Sequence, residues 1–183
     1  MIIFIGAPGH TGKTALAQRL MERFQMPYLS VDHLKMGLFR GWPDCGFHPE
    51  GRHAVTSAKL WPLVKAIAMT AIENGQSMII EGGYHTPEQI AEFGPEYAGH
   101  VTAFWMAFSQ RYVEANYDKI RAFSGTIEGR GEDSAPPPEE CVREGEALRA
   151  QCLAQGAQFF PIDGDYEQAM RDIIAWVANK VGP

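Results

Sequence analysis

Apolar positions along the chain alternate between two kinds of run. Residues 2–5 are apolar without a break, and residues 27–31, 77–81, 100–108 and 158–162 are short, largely apolar runs. Strands covered on both faces read this way. Between them, apolar residues recur at helical spacing. Leu16, Leu20 and Phe24 mark a stripe over residues 12–24, and Leu60, Val64, Ile67 and Ala71 mark one over residues 54–74. Val113, Tyr117 and Ile120 do the same over residues 109–123, residues 139–155 form a further helix, and Tyr166, Ala169, Met170, Ile173, Ile174 and Val177 close the chain. Strands separated by helices predict βαβ units, hence a parallel sheet between two helical layers.

Punctuation refines this outline. Residues 34–40 predict a helical turn or two, and the Gly-, Pro- and aromatic-rich stretch 41–51 a loop. Pro62 should kink the long helix or start a new one, and Gly75 should stop it. Thr86-Pro87-Glu88 has a capping residue followed by proline in the first helical position, a helix start. Residues 124–138 break the pattern with three Gly and three consecutive Pro. The expectation is one domain over residues 1–183 with a mobile lid at about 121–138.

In open parallel sheets ligands bind beyond the carboxyl ends of the strands. The first strand runs into Ala7-Pro8-Gly9-His10-Thr11-Gly12-Lys13-Thr14 and then a helix, the context of a phosphate-binding (Walker A) loop. Backbone N–H groups of such a turn, with the positive end of the following helix, cradle an anion. Gly9 and Gly12 allow backbone angles that a Cβ forbids, and Gly9, His10, Thr11, Gly12, Lys13 and Thr14 are the candidate phosphate binders. Lys13 would reach the terminal phosphates and Thr14 would offer its hydroxyl to Mg²⁺. The pattern departs in one place: Ala7 stands where the first Gly belongs, and Gly6 sits one residue early.

The second strand delivers Asp32, the third Glu81, Gly82, Gly83 and Tyr84, and the fifth Asp163. Two carboxylates beside a polyphosphate site suit phosphoryl transfer, which needs a metal-ordering acid and a group that orients or deprotonates the nucleophile. Asp32 is read as that orienting or basic group, or as the cap of the next helix; the two are compatible. Glu81 is read as the acid that reaches Mg²⁺. Gly82 and Gly83 would let backbone pass close to a ligand, and Tyr84 would line the acceptor pocket or pack. Arg40 lies in an aromatic and basic stretch that could hold the acceptor. An arginine closing over the transferred group would stabilise its charge; Arg130 within Glu-Gly-Arg-Gly is preferred and Arg121 second.

The bulk properties narrow the partners. The net charge of -6 argues against a general nucleic-acid binder. Three cysteines without a CxxC pair read as free thiols in a reducing compartment, and Cys45, His48 and His53 fit no standard zinc spacing. No segment reads as long and apolar enough to span a membrane, so a cytoplasmic protein is expected.

With these residues in place, the chain resembles the small P-loop kinases of the adenylate-kinase-like group, which includes nucleotide, shikimate, gluconate, chloramphenicol and zeta-toxin-type kinases. The resemblance rests on Ala7-Pro8-Gly9-His10-Thr11-Gly12-Lys13-Thr14, on Asp32, on Glu81-Gly82-Gly83 and on the arginine-bearing segment after the fourth strand. Leu29-Ser30-Val31-Asp32-His33-Leu34-Lys35-Met36-Gly37-Leu38 also looks like bacterial proteins labelled adenylate-kinase-like or 2-phosphoglycerate-kinase-like. The resemblance implies a three-layer α/β/α P-loop fold, a five-stranded parallel sheet ordered 2-3-1-4-5, MgATP as donor and a small-molecule acceptor. It also implies adenine packing around residues 163–166. A nucleoside-monophosphate site and a zinc-bearing lid are missing, which points away from adenylate kinase itself. Two other functions share these features: a nucleotide-binding regulatory module without acceptor chemistry, and a toxin-like kinase acting on a sugar nucleotide.

Overall fold

In a computed structural model of the chain, which describes residues 1–123 and 135–181, five parallel strands form one sheet in the order β2-β3-β1-β4-β5. The strands are β1 (Ile2–Gly6), β2 (Tyr28–Ser30), β3 (Met78–Gly82), β4 (Val101–Phe108) and β5 (Gln158–Ile162). The helices are α1 (Lys13–Phe24), α2 (Val31–Gly41), α3 (His53–Glu73), α4 (Pro87–Ile90), α5 (Pro95–Ala98), α6 (Gln110–Phe123), α7 (Pro138–Ala154) and α8 (Tyr166–Val181). The three-layer architecture and the strand order are as expected from the sequence.

β1 runs through the middle of the sheet, and its side chains alternate between two cores. Ile3 and Ile5 join Leu16, Leu20, Met170 and Ile173 on one face. Ile2 and Phe4 join Leu60, Trp61, Val64 and Ala68 on the other. The pleat sends successive residues to opposite sides, so a doubly covered strand must be apolar throughout. The register brings Ile5 level with Glu81, and Glu81 level with Ser30. Gly6 lies level with Gly82 and Trp105. The ends of β1, β2 and β3 thus share one edge of the sheet.

Several boundaries differ from the sequence reading. Residues 31–41 form three turns of helix rather than one or two, and β2 ends at Ser30, two residues before Asp32. Asp32 therefore sits inside the first turn of α2, with Ser30 in the capping position. α3 continues through Pro62 as one helix. Trp61 and Ala68, rather than Ile67, complete its buried stripe. Gly75 ends it with φ 66°, a conformation few other residues adopt cheaply. Thr86 and Gln89 form the reciprocal capping box at 3.3 and 2.9 Å, although the helix it starts is one turn long.

α3 corrects one expectation. By length and composition it is apolar enough to cross a membrane, with a mean hydropathy of 1.2. Its buried residues, among them Leu60, Trp61, Val64, Ala68 and Ala71, pack on the sheet. A long helix in a sheet-covering layer meets the same compositional test as a membrane span.

Candidate active site

The turn between β1 and α1 has the local geometry of an anion cradle. Two consecutive exceptions to ordinary backbone lie two residues apart: His10 at φ 61° and Gly12 at φ 85°. The left-handed angle falls on His10 and not on Gly9, whose missing side chain would meet nothing within 4 Å. Gly12 is constrained twice, by its angle and by the Tyr166 hydroxyl, which occupies the place of its absent Cβ. Thr11 is buried and donates to the carbonyls of Pro8 at 2.9 Å and Gly9 at 3.3 Å, which ties the loop to itself. α1 opens with no side-chain cap and no acid in its first turn. Its first N–H groups and positive end therefore face the loop with no side chain of the helix's own first turn bonded to them.

Lys13 and Thr14 are the first two residues of α1. Lys13 is 8% exposed. Thr14 Oγ1 donates to Glu81 Oε1 at 3.4 Å, linking the start of α1 to the end of β3. Glu81 is fully buried. A hydroxyl and a carboxylate side by side at a helix N-terminus are the hard oxygen donors that Mg²⁺ accepts, its other positions being filled by water and phosphate. The residues present therefore fit the metal.

A cleft of about 560 Å³ opens beside the loop. Its walls are His10–Ala15, Phe108 at the end of β4, the Tyr112, Asn116, Lys119, Ile120 and Phe123 side of α6, and Gly164–Glu167. Phe108 and Tyr112 stack at 4.7 Å and 9°. Asn116 departs from helical geometry, with φ −133°, and its amide donates to the Tyr112 carbonyl at 3.2 Å. Arg19 closes the rim through a two-bond pair with Glu167 at 2.7 and 2.9 Å. Asp163 is engaged elsewhere: Ser109 donates to its carboxylate at 2.5 Å and Arg111 to its carbonyl at 3.0 Å. The Ser109 bond, aided by Arg111, holds the Asp163 carboxyl below its usual range. Arg111 is thereby used as a brace between α6 and the end of β5.

A second cluster forms across α2, α3 and the segment after β3. Lys35, one turn beyond Asp32, donates to Asp32 Oδ1 at 2.9 Å and to Tyr84 Oη at 2.8 Å. Burial pulls the Lys35 pKa down, but the bonds to Tyr84 and Asp32 outweigh it and the net shift is upward. Tyr84 is pinned by Ser57, which donates to its carbonyl at 2.8 Å, and by His53, which stacks on its ring at 4.8 Å and 13°. Gly83 lies against the Ala7 carbonyl and His53, so this cluster adjoins the phosphate loop. Gly82 has a different reason from the expected one: its absent Cβ makes room for Val31 of α2, not for a ligand. From α7, Glu144 faces His53; burial and Glu140 raise its pKa, opposed by Arg143 and His53.

Next to Tyr84, His85 is almost fully buried between Phe4 and Trp105. Burial, reinforced by the charge of Lys13, lowers its pKa to about 4, so it is neutral at physiological pH.

The candidates thus divide. Lys13, Thr14, Glu81, Gly83, Tyr84 and Asp32 gather at one edge of the sheet. Arg40 is exposed at the far end of α2, about 12 Å along the helix from Asp32 at 1.5 Å per residue, and makes no ion pair among the described residues. Arg121 is exposed in the last turn of α6 and is not among the residues that line the cleft. Arg130 lies outside the described residues, as does most of the expected lid. Residues that the sequence reading passed over include Lys35, Arg19 and Lys119; His53 was considered only as a metal ligand or part of an acceptor loop, and it stacks on Tyr84 instead. Only Lys35 carried a local signal, its three-residue spacing from Asp32 on a helix.

The fold is shared with solved structures, several of which are named as kinases. A candidate kinase of Chloroflexus aurantiacus superposes with a TM-score of 0.62 at 21% identity, over 99% of this chain and 98% of that one. A tunicamycin resistance protein of Deinococcus radiodurans matches with a TM-score of 0.60 at 17% identity, over 97% and 95%. Shikimate kinase of Bacteroides thetaiotaomicron matches with a TM-score of 0.58 at 13% identity, over 97% and 98%. No protein-family model and no curated protein sequence matches the chain.

Proposed function

We propose that the chain is an ATP-dependent small-molecule kinase, which moves the γ-phosphoryl group of MgATP to a hydroxyl or phosphate of a small acceptor. The observation that carries this reading is the bond between Thr14 and Glu81 at the start of α1, beside the proposed phosphate loop and at the mouth of the aromatic cleft. The kinase fold shared with the proteins named above supports it.

Each residue has a task in this reading. Backbone N–H groups of residues 9–14 bind the β- and γ-phosphates, and Lys13 adds its point charge as negative charge develops on the leaving oxygen. Thr14 and Glu81 would hold Mg²⁺, which draws charge from the β- and γ-phosphate oxygens when bound. Phe108, Tyr112 and Tyr166 give the cleft flat apolar walls suited to a nucleobase, in keeping with the expected adenine position. Asp32 orients the acceptor hydroxyl and receives its proton. Tyr84, Gly83 and His53 bound the acceptor side. Arg121 and Arg130 remain the candidate arginines of the lid.

The test is γ-phosphate transfer from MgATP across a panel of nucleosides, nucleoside monophosphates, sugars, phosphoglycerates, shikimate and aminoglycosides, beside a water blank and Lys13→Ala. Acceptor-dependent ADP release that disappears in Lys13→Ala is the expected result. MgATP that fails to bind would overturn the reading.

A further inference from the structure

We propose that Lys35 is a positioning residue for phosphoryl transfer: held by Tyr84, its ammonium fixes the Asp32 carboxylate at the edge of the phosphate loop. This inference rests on the kinase reading above, because it gives Asp32 the acceptor hydroxyl to orient.

Lysine is among the residues least often buried, yet Lys35 is 9% exposed. Its side chain and that of Asp32 are 11% and 15% exposed, so the pair is largely withdrawn from water. Withdrawing two charges from water offsets much of their attraction, so a buried pair is a weak source of stability and a stronger source of fixed geometry. An ordinary i, i+3 pair on a helix surface would leave both side chains free to sample rotamers. Here a third group removes that freedom. Tyr84 accepts from the same ammonium at 2.8 Å, while Asp32 accepts at 2.9 Å. Tyr84 in turn cannot drift, being stacked on His53 and tied through its carbonyl to Ser57. Two segments, α2 and the residues after β3, therefore meet at one nitrogen atom, with α3 holding the second in place, and that atom sets where the Asp32 carboxylate stands.

The chemistry makes the placement useful. Phosphoryl transfer proceeds through a loose transition state in which the attacking oxygen must be aligned more than it must be deprotonated early. A carboxylate held within a narrow range of positions aligns the hydroxyl; one free to rotate does so only part of the time. Pairing with an ammonium weakens the carboxylate as a base, which such a transition state tolerates.

The experiment is a mutant cycle on the full chain with Lys35→Met and Tyr84→Phe, each alone and combined with Asp32→Asn, and Asp32→Asn itself. Thermal unfolding checks that each folds. Binding of a non-hydrolysable MgATP analogue is measured by calorimetry, and steady-state turnover of MgATP is measured with water and with the most active acceptor of the panel. Lys35→Met should lower kcat about tenfold or more while analogue affinity stays within about twofold. On the Asp32→Asn background the same change should cost less than about twofold, since there is then no carboxylate to place. If Lys35→Met fails to fold, Tyr84→Phe, which removes one hydroxyl, should still lower kcat about threefold with affinity intact, and lose that effect on the Asp32→Asn background. Equal losses on both backgrounds, a matching loss of analogue affinity, or an unchanged kcat would overturn the role of Lys35 alone. A wild-type chain that binds MgATP but turns it over with neither water nor any acceptor would overturn the kinase reading, and this inference with it.

Discussion

The two halves of the candidate site are built by different means. The donor half is made of consecutive residues: the backbone of 9–14 and the first turn of α1 supply the cradle, and the cleft is completed by α6 and the start of α8. The acceptor half is made of side chains brought together from α2, α3 and the segment after β3, with Glu144 of α7 close by. The first depends on backbone conformation and tolerates change in most side chains around it. The second depends on side-chain geometry, so single substitutions should reshape it without disturbing the first.

The largest test of that division is a pair of substitutions, one in each half. Lys13→Ala should lower MgATP turnover by about a thousandfold or more and weaken nucleotide affinity, because its charge meets the phosphates directly. Asp32→Asn should lower transfer to the acceptor by about a hundredfold or more, the scale of a positioned acid–base group, and leave nucleotide affinity unchanged. Calorimetry with a non-hydrolysable analogue beside steady-state kinetics reads both. Loss of nucleotide binding in Asp32→Asn would mean that the halves are one unit.

His85 sits between them, following Tyr84 in sequence and sensing Lys13 by charge. Its folded pKa of about 4 lies below the ordinary value of 6.5. The unfolded chain therefore takes up its proton first as pH falls. The stability that His85 contributes is fully present above pH 6.5 and is lost as pH falls toward 4. The shift corresponds to roughly 3 kcal/mol at its full extent. Denaturant unfolding at pH 7.5 and pH 4.5 should show a larger acid loss in the wild type than in His85→Phe, whose ring suits the space between Phe4 and Trp105. Equal losses would show that His85 charges without penalty.

This contrast also explains what could be read in the chain before its structure. The alternation of apolar runs and helical stripes pointed to the layers, because a central strand such as residues 2–5 has no way to be half polar; the strand order came only from the resemblance to small kinases. The turn of residues 7–14 stood out in the sequence because its motif is contiguous. Its internal detail was less so: the left-handed angle was expected of Gly9 and is taken by His10, since an Asn- or His-like residue can bear it when the loop bonds to itself through Thr11. On the proposed acceptor side the sequence singled out Asp32, Arg40, Gly83 and Tyr84, and all but Arg40 lie together in the structure. His53 is far from Tyr84 in sequence, and no local pattern announces a ring stacked on another ring. Lys35 was hidden by reading residues 34–40 as a turn or two; a full helix from Val31 puts it one turn above Asp32.

Within the donor half, Gly12→Ala sharpens the claim that backbone is what matters there. The substitution strains a residue at φ 85° by about 1–2 kcal/mol and forces the Tyr166 hydroxyl to withdraw. Nucleotide affinity should fall about tenfold, and adding Tyr166→Phe should recover part of it, since strain at φ 85° remains after the hydroxyl is gone. No recovery would place the whole cost in the backbone.

The smallest effect is expected at the rim. Arg19 and Glu167 join α1 to α8 by two short bonds, but their side chains are 40% and 53% exposed. Exposed pairs contribute about 0–1 kcal/mol and weaken with salt, so Arg19→Ala should change unfolding stability by less than about 1 kcal/mol. If the pair serves only to tie the two helices, nucleotide affinity should change by less than about threefold. Arg19 nevertheless lines the cleft beside Lys13. A loss of nucleotide affinity of about tenfold with stability unchanged would mean that Arg19 leaves Glu167 for the phosphates, where a charge-assisted bond is worth more than the exposed pair. The donor half would then depend on a third side chain of α1, besides Lys13 and Thr14.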